Sequence, residues 1–436
     1  MPCGATANCV DSRCDVFAWS GGRASGSGFA ASPWLDDGVI AADALGGVYL
    51  AHSAARGGAE LTAYEPNGVT RWSSAFSTFS GGVRGITMLG ADTVVFATTF
   101  EGSWRSGATS YTSAGLSDVA VVALAVSDGS IRWTTVLGGV GSESAGGIAA
   151  SADGMRIALA VHSRGTMSIG GVAIGSRSEG DLVLVTLDGV DGRSITGQRF
   201  GGIGTETDTR LALDAAGNLF IAGLAGAGID FGAGTSGGVT TGYLASLAPD
   251  FSHRFTTLIP AESIDGIAVN TIGIYVSGTI TRSTTFAPGF SVDPGFDDAV
   301  FALGVDVRGS VTWVTPLVAG SVPRGGSAIA ASETAIYFAA TFSGRLETGV
   351  VSSGSYDVLL ATLSVGGRFV QLRTDGGDDD ERATSVARGG RILAVAGRYR
   401  SAWDTTSALP PSARLATTPP VPTGGSHVFV VAERLD

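Results

Sequence analysis

A unit of about sixty residues recurs along this chain, and that recurrence constrains the fold more than any other feature. Its cleanest copy is Arg199–Gly223, RFGGIGTETDTRLALDAAGNLFIAG. The copy reads as a Gly-Gly turn and a polar loop, then an apolar strand, the turn Ala-Ala-Gly-Asn and a second strand. Short β-branched and aromatic runs bounded by Gly and Asn are the mark of an antiparallel hairpin. A later strand of the unit carries a large residue at Trp72, Trp133, Gln198, Phe255, Trp313 and Leu372. The steps between these anchors are 61, 65, 57, 58 and 59 residues. Spacing this even, with four short strands per period, predicts stacked copies of one supersecondary unit rather than separate domains.

Each unit supplies the same four strands. The first resembles Arg210–Ala215, and the second Leu219–Gly223 or Ile336–Thr341. The third starts after an acid: Asp118, Asp181, Asp297 or Asp357. The anchor strand is the fourth. A four-stranded antiparallel sheet of this kind is one blade of a β-propeller. The last unit stops at Asp436 after its third strand, and Cys14–Ser20 with Trp19 matches the missing fourth. Pairing the two ends closes a ring and removes the open sheet edges. The expectation is an all-β, seven-bladed β-propeller over residues 16–436, closed by an N-terminal strand and preceded by a Cys-bearing leader at 1–15.

Composition agrees with that fold and excludes several chemistries. Sixty-seven glycines without a collagen-like period imply many tight turns. All 27 basic residues are Arg. A Walker phosphate loop, a Schiff-base lysine and a Ser-x-x-Lys hydrolase each need the missing amine. A net charge of −12 argues against nucleic acid and anionic membrane as partners. No run reaches the ~18 apolar residues of a membrane span. Cys3, Cys9 and Cys14 are the only cysteines, and their clustering reads as a small disulfide knob whose odd member pairs elsewhere. Upstream sequence would supply that partner and an export signal or lipid anchor. The chain is therefore expected to be extracellular, on the cell surface or periplasmic, and monomeric.

The pattern FGGxGxE…ALDxxGNLFIAGxxxG…DFGxG, strongest over 134–236, resembles the bacterial β-propeller-repeat (SBBP-type) proteins. That resemblance implies the propeller fold and a secreted or cell-surface setting. The Trp-bearing strands, as in ALAVSDGSIRW, are similar to the Trp-docking repeats of quinoprotein dehydrogenases.

Few constellations in the chain have the residue types that chemistry needs. Gly232–Gly238 contains G-x-G-x-x-G and G-x-S-x-G matches, but neither is followed by the helix such sites need. His52 and His162 fall at equivalent repeat positions, in LAHS and AVHS at the end of the second strand, and read as structural or surface residues. The recurring acids before the third strands read as turn acceptors, and the recurring Trp residues as packing between blades. Glu143, Glu206, Glu262 and Glu381 share one repeat position, in the loops that hand one blade to the next. These acids form an electronegative rim for a cation or basic partner, or cap the turns of the repeat. The run Asp375–Glu381 deepens the acidity but lacks the ordered ligands of a Ca²⁺ loop, which leaves only weak Ca²⁺ binding open. No cofactor is expected. The Pro/Thr-rich stretch Ser401–Gly425 reads as an extended insertion. The functional expectation is a non-catalytic binding scaffold for a protein or glycan. The alternatives are a surface spacer, or an enzyme with its site in the axial channel.

Overall fold

The computed structural model describes residues 8–10, 13–15, 18–24, 38–53, 58–76, 82–106, 108–175, 180–201, 206–226, 228–234, 241–322, 326–346, 349–352, 354–376, 380–399 and 427–435. These form seven four-stranded antiparallel blades, and no helix occurs among the described residues. Blade 1 runs Val39–Ala42, Val48–Ser53, Ala59–Tyr64 and Thr70–Phe76. Blade 4, which contains the cleanest repeat, runs Thr207–Leu213, Leu219–Ala225, Thr241–Leu247 and His253–Ile259. Blade 7 is assembled from both ends of the chain. Glu381–Gly389, Ile392–Tyr399 and His427–Arg434 are joined by Ala18–Ala24, whose register sets Trp19 opposite Ala432. The closing strand thus begins at Ala18 rather than Cys14. Cys14 instead pairs with Cys9 in the register of a separate small hairpin, Asn8–Val10 with Arg13–Asp15.

The first strand of every blade is innermost, and each touches its neighbour around the ring, the last against the first. At that seam Thr384 Oγ donates to the Gly38 carbonyl at 2.7 Å, and the Ile40 amide donates to Ser385 Oγ at 3.2 Å. Second and third strands are buried on both faces, as Thr93–Phe100 and Asp118–Ala125 illustrate, because each blade is sandwiched between two others. Their near-continuous apolar character follows from that double burial, and fourth strands such as Thr70–Phe76 alternate instead.

Blades dock through one repeated device. Nε1 of Trp72, Trp133 and Trp313 donates to a carbonyl in the next blade's turn between third and fourth strands: Val126 at 2.9 Å, Gly189 at 3.3 Å and Val365 at 3.0 Å. Two residues on, a hydroxyl caps the same turn; Thr135 donates to the Gly192 carbonyl at 2.6 Å and Thr315 to that of Gly367 at 2.5 Å. Gly192 adopts φ 72° and lies flat under the Trp133 ring, where a Cβ would overlap the indole. Phe255 takes the same place over Gly309.

The register corrects two anchors. A one-residue bulge in each pairing of third and fourth strands sets Thr196 and Gln371, not Gln198 and Leu372, opposite the residues that match Trp133's partner. It also separates the histidines. His162 lies opposite Leu182 and His52 opposite Glu60, one residue out of step in the repeat, so the two rings sit on opposite faces of their strands.

Candidate functional site

Connections from second to third strand, and from fourth strand to the next blade, leave the ring at the same end. At this end the second-to-third connections fold into hairpins of their own: Ser103–Ser106 with Thr109–Thr112 in blade 2, Thr166–Ile169 with Val172–Gly175 in blade 3, and Thr284–Ala287 with Phe290–Val292 in blade 5. Blade 6 has a single bridge, Arg345 with Val351. Interblade loops are tied under these excursions by bridges between Ser117 and Ser142, Gly139 and Met167, and Ser321 and Ser343.

The four glutamates stand at one register position, where those loops enter the first strands, but they do not form an open rim. Glu143, Glu206 and Glu381 are fully buried, and Glu262 is half-buried. Glu143 shows why. One carboxylate oxygen accepts from the Gly139 amide at 2.9 Å, the other from Ser163 Oγ at 2.9 Å. The acid holds its own loop against the blade's second strand, which is the turn-capping geometry. Burial raises its pKa; the Ser163 and Gly139 hydrogen bonds oppose that rise, and the nearby Asp118 charge adds to it.

The third-strand acids belong to the same construction. Asp118 accepts from the Ala114 amide at 3.0 Å, and Asp357 from the Gly354 amide at 3.3 Å. In blade 5 the register puts Ala299 at this position; Asp298, one residue before it, accepts from the Val322 amide at 3.2 Å, and Asp297 precedes the strand. The carboxyls of Asp118, Asp181 and Asp357 lie where a Cβ on Gly138, Gly201 or Gly376 would stand. The Gly-Gly of the repeat and the acid of the third strand are therefore two halves of one contact. Burial also pushes the Asp118 carboxyl up.

In the stretch Gly232–Gly238 the amides of Gly232 and Gly234 donate to Asp230 at 2.7 and 3.0 Å, a capped turn rather than a phosphate cradle. Most of Asp375–Glu381's acidic core, all of Ser401–Gly425, and Cys3 lie outside the described residues. Among the described residues no three His, Cys, Asp or Glu side chains gather as a metal site would require. No helix there is long and apolar enough to cross a membrane.

The axis holds what the sequence reading passed over. A cavity of about 210 Å³ is lined by residues from all seven blades. Its wall combines aliphatic side chains such as Ile40, Ile148 and Leu211 with Gly85, Gly147 and Gly266. Set among these are Arg84, Arg210, Asp265, Thr384 and Ser385. The visible signal in the sequence was a departure from the repeat, since the Arg210 position is Gly, Ala, Val or Ser in the other blades.

On the loop face, Leu116 and Val140 stand out as apolar side chains 76% and 82% exposed. They are neighbours, because the Leu116 amide donates to the Gly141 carbonyl at 2.8 Å. Phe296, in the blade 5 excursion, is fully exposed at the same end.

No protein-family model matches the chain, and no curated protein matches it. Among solved structures it is similar to the Pan2 WD40 domain of Neurospora crassa (12% identity, 92% of each chain, TM-score 0.45). It is also similar to a quinohemoprotein alcohol dehydrogenase of Pseudomonas putida HK5 (10% identity, 96% of this chain and 76% of that one, TM-score 0.42). A europium-containing methanol dehydrogenase overlaps at 11% identity over 92% of this chain and 93% of that one, with a TM-score of 0.41. Similarity at this level carries no statement about activity.

Proposed function

We propose that this protein is an exported, non-catalytic propeller that binds a protein ligand on its hairpin-bearing face. The observation that carries this reading is the neighbouring pair Leu116 and Val140, exposed at the junction of blades 2 and 3 on loops that are themselves tied down. Scattered exposed apolar residues are ordinary. A pair held on a fixed platform, with Phe296 at the same end, is what a partner buries at an interface core. Fixed loops also lose little conformational freedom on binding, which preserves affinity. Aliphatic side chains favour a protein over a glycan, since sugar recognition draws on aromatic faces and polar groups. Export is supported by the cysteine cluster and by the SBBP-type resemblance.

The test is a binding screen against surface proteins and immobilised glycans, followed by variants. Leu116→Ser with Val140→Ser is expected to weaken any protein ligand found by tenfold or more, equivalent to about 1.4 kcal/mol. The pair Leu45→Ser and Ile272→Ser, exposed on turns at the opposite end, is expected to leave it unchanged. Equal loss from both pairs, or a ligand indifferent to the first, would discard this face.

A further inference from the structure

We infer that the axial cavity is a binding site for a small organic carboxylate, held by Arg84 and Arg210. The site is separate from the hairpin face.

The first support is the break in the repeat. Arg210 pairs with Ala222 across the first two strands, as Gly85 does with Ala97, Gly266 with Ser277, Ala328 with Ala339 and Ser385 with Ala396. The scaffold is satisfied by a small residue here, and in blade 3 a Cβ on Gly147 would press on the backbone of the next blade. A structural need shared by all blades would be met alike in all of them. A long cation in one blade answers to something other than the fold. Arg84 occupies the bulge of blade 2, where blade 3 carries Gly146, blade 5 Asp265 and blade 7 Thr384.

The second support is geometry. Nε of Arg210 donates to the Asp265 carbonyl of blade 5 at 2.8 Å, which fixes the guanidinium along the wall. Its Nη1 and Nη2 have no partner among the described residues. That is the half of the fork that pairs with a carboxylate through two parallel hydrogen bonds. Arg84 is exposed and lines the same cavity from two blades away.

Other polar groups of the wall are engaged. Thr384 donates to Gly38, Ser385 accepts from Ile40, and one Asp265 oxygen accepts from Ser327 Oγ at 2.8 Å. Two guanidiniums against one carboxylate leave the lining net positive inside a chain of charge −12. In a recess walled by Ile and Leu such a charge is felt more strongly than on the surface. A cavity of about 210 Å³ is of a size to admit a small organic acid.

Succinate, acetate, sulfate and phosphate serve as probes, each titrated by calorimetry and by shift of the thermal midpoint at up to ~10 mM. Succinate is expected to bind and stabilise the wild-type protein, and its neutral diamide is not. Arg210→Ala, which restores the small residue of other blades at the loss of one hydrogen bond to Asp265, is expected to stay folded while losing tenfold or more in succinate affinity. Arg84→Ala is expected to do the same. The Leu116→Ser and Val140→Ser variant is expected to bind succinate normally, so the cavity and the hairpin face fail or stand independently. Unchanged succinate affinity in the double Arg variant would overturn the assignment. So would the absence of binding by any probe, or saturation by sulfate or phosphate without succinate.

Discussion

At the scale of single residues, Trp133 shows how one side chain serves two blades. Its ring covers Gly192, its Nε1 reaches Gly189, and Thr135 beside it caps the same turn. Trp133→Ala is expected to cost about 3–5 kcal/mol, the range for removing a large aromatic from a packed site. Gly192→Ala should cost about 1–3 kcal/mol by overpacking, with added strain from the positive φ. Chemical denaturation of the two variants checks both, and the double variant tests their coupling. The two losses should not add, since the alanine methyl no longer meets an indole.

Glu143 and Asp118 argue in the other direction. Burial raises both carboxyl pKa values in the folded state. A folded-state pKa above the unfolded one means the native protein binds the proton more tightly. The resulting stabilisation is fully present below the unfolded carboxyl range, near pH 4, and is lost as pH rises through the folded value. Replacement by Glu143→Gln and Asp118→Asn is therefore expected to flatten the decline in stability above about pH 4 and to raise the midpoint at neutral pH. Thermal midpoints measured at intervals across that range check the sign. A double variant that tracks wild type at every pH would show that neither proton matters.

At the scale of elements, the repeat was legible because each strand is bracketed by residues the turns demand. Asp214 in Asp-Ala-Ala-Gly-Asn accepts from the amides of Ala216 and Asn218, and Asp306 accepts likewise from Arg308 and Ser310. Those acids punctuate the chain and so mark the strands. Legibility stopped at single-residue offsets. Thr196 and Gln371 hold the anchor place in blades 3 and 6, and with no large residue there Gln198 and Leu372, one or two positions on, stand out instead. The burial of Glu143, Glu206 and Glu381 was also hidden, because it depends on excursions from neighbouring blades folding over the loops. Arg84 and Arg210 escaped for a different reason: comparison of copies draws attention to what recurs, and these two residues are what does not.

At the scale of the molecule, the ring is held shut by backbone pairing of Ala18–Ala24 with His427–Arg434. The ion pair of Arg373 with Glu433 adds a side-chain tie between blades 6 and 7. A chain beginning after Ala24 would leave His427–Arg434 as a bare edge, an open template for another molecule. Such a chain is expected to unfold at a lower temperature, over a broader transition, and to self-associate on size-exclusion chromatography. A synthetic peptide covering the missing strand should reverse both effects. Survival of a monomeric, sharply melting truncated ring would show that six complete blades suffice to hold the seventh.

The shared blade also sets a clock. The strand that pairs with His427–Arg434 lies more than 400 residues before it in sequence, and is made that much earlier. During synthesis it has no partner until the last strand appears, so blades 1–6 can assemble while blade 7 cannot. Closing so large a loop costs only a little more entropy than closing a modest one, but the step must wait until His427–Arg434 has been made. The finished ring is then a record that the whole propeller has been made: a polypeptide cut short at any point before His427 is left with Ala18–Ala24 unclaimed, and quality control has an edge to recognise.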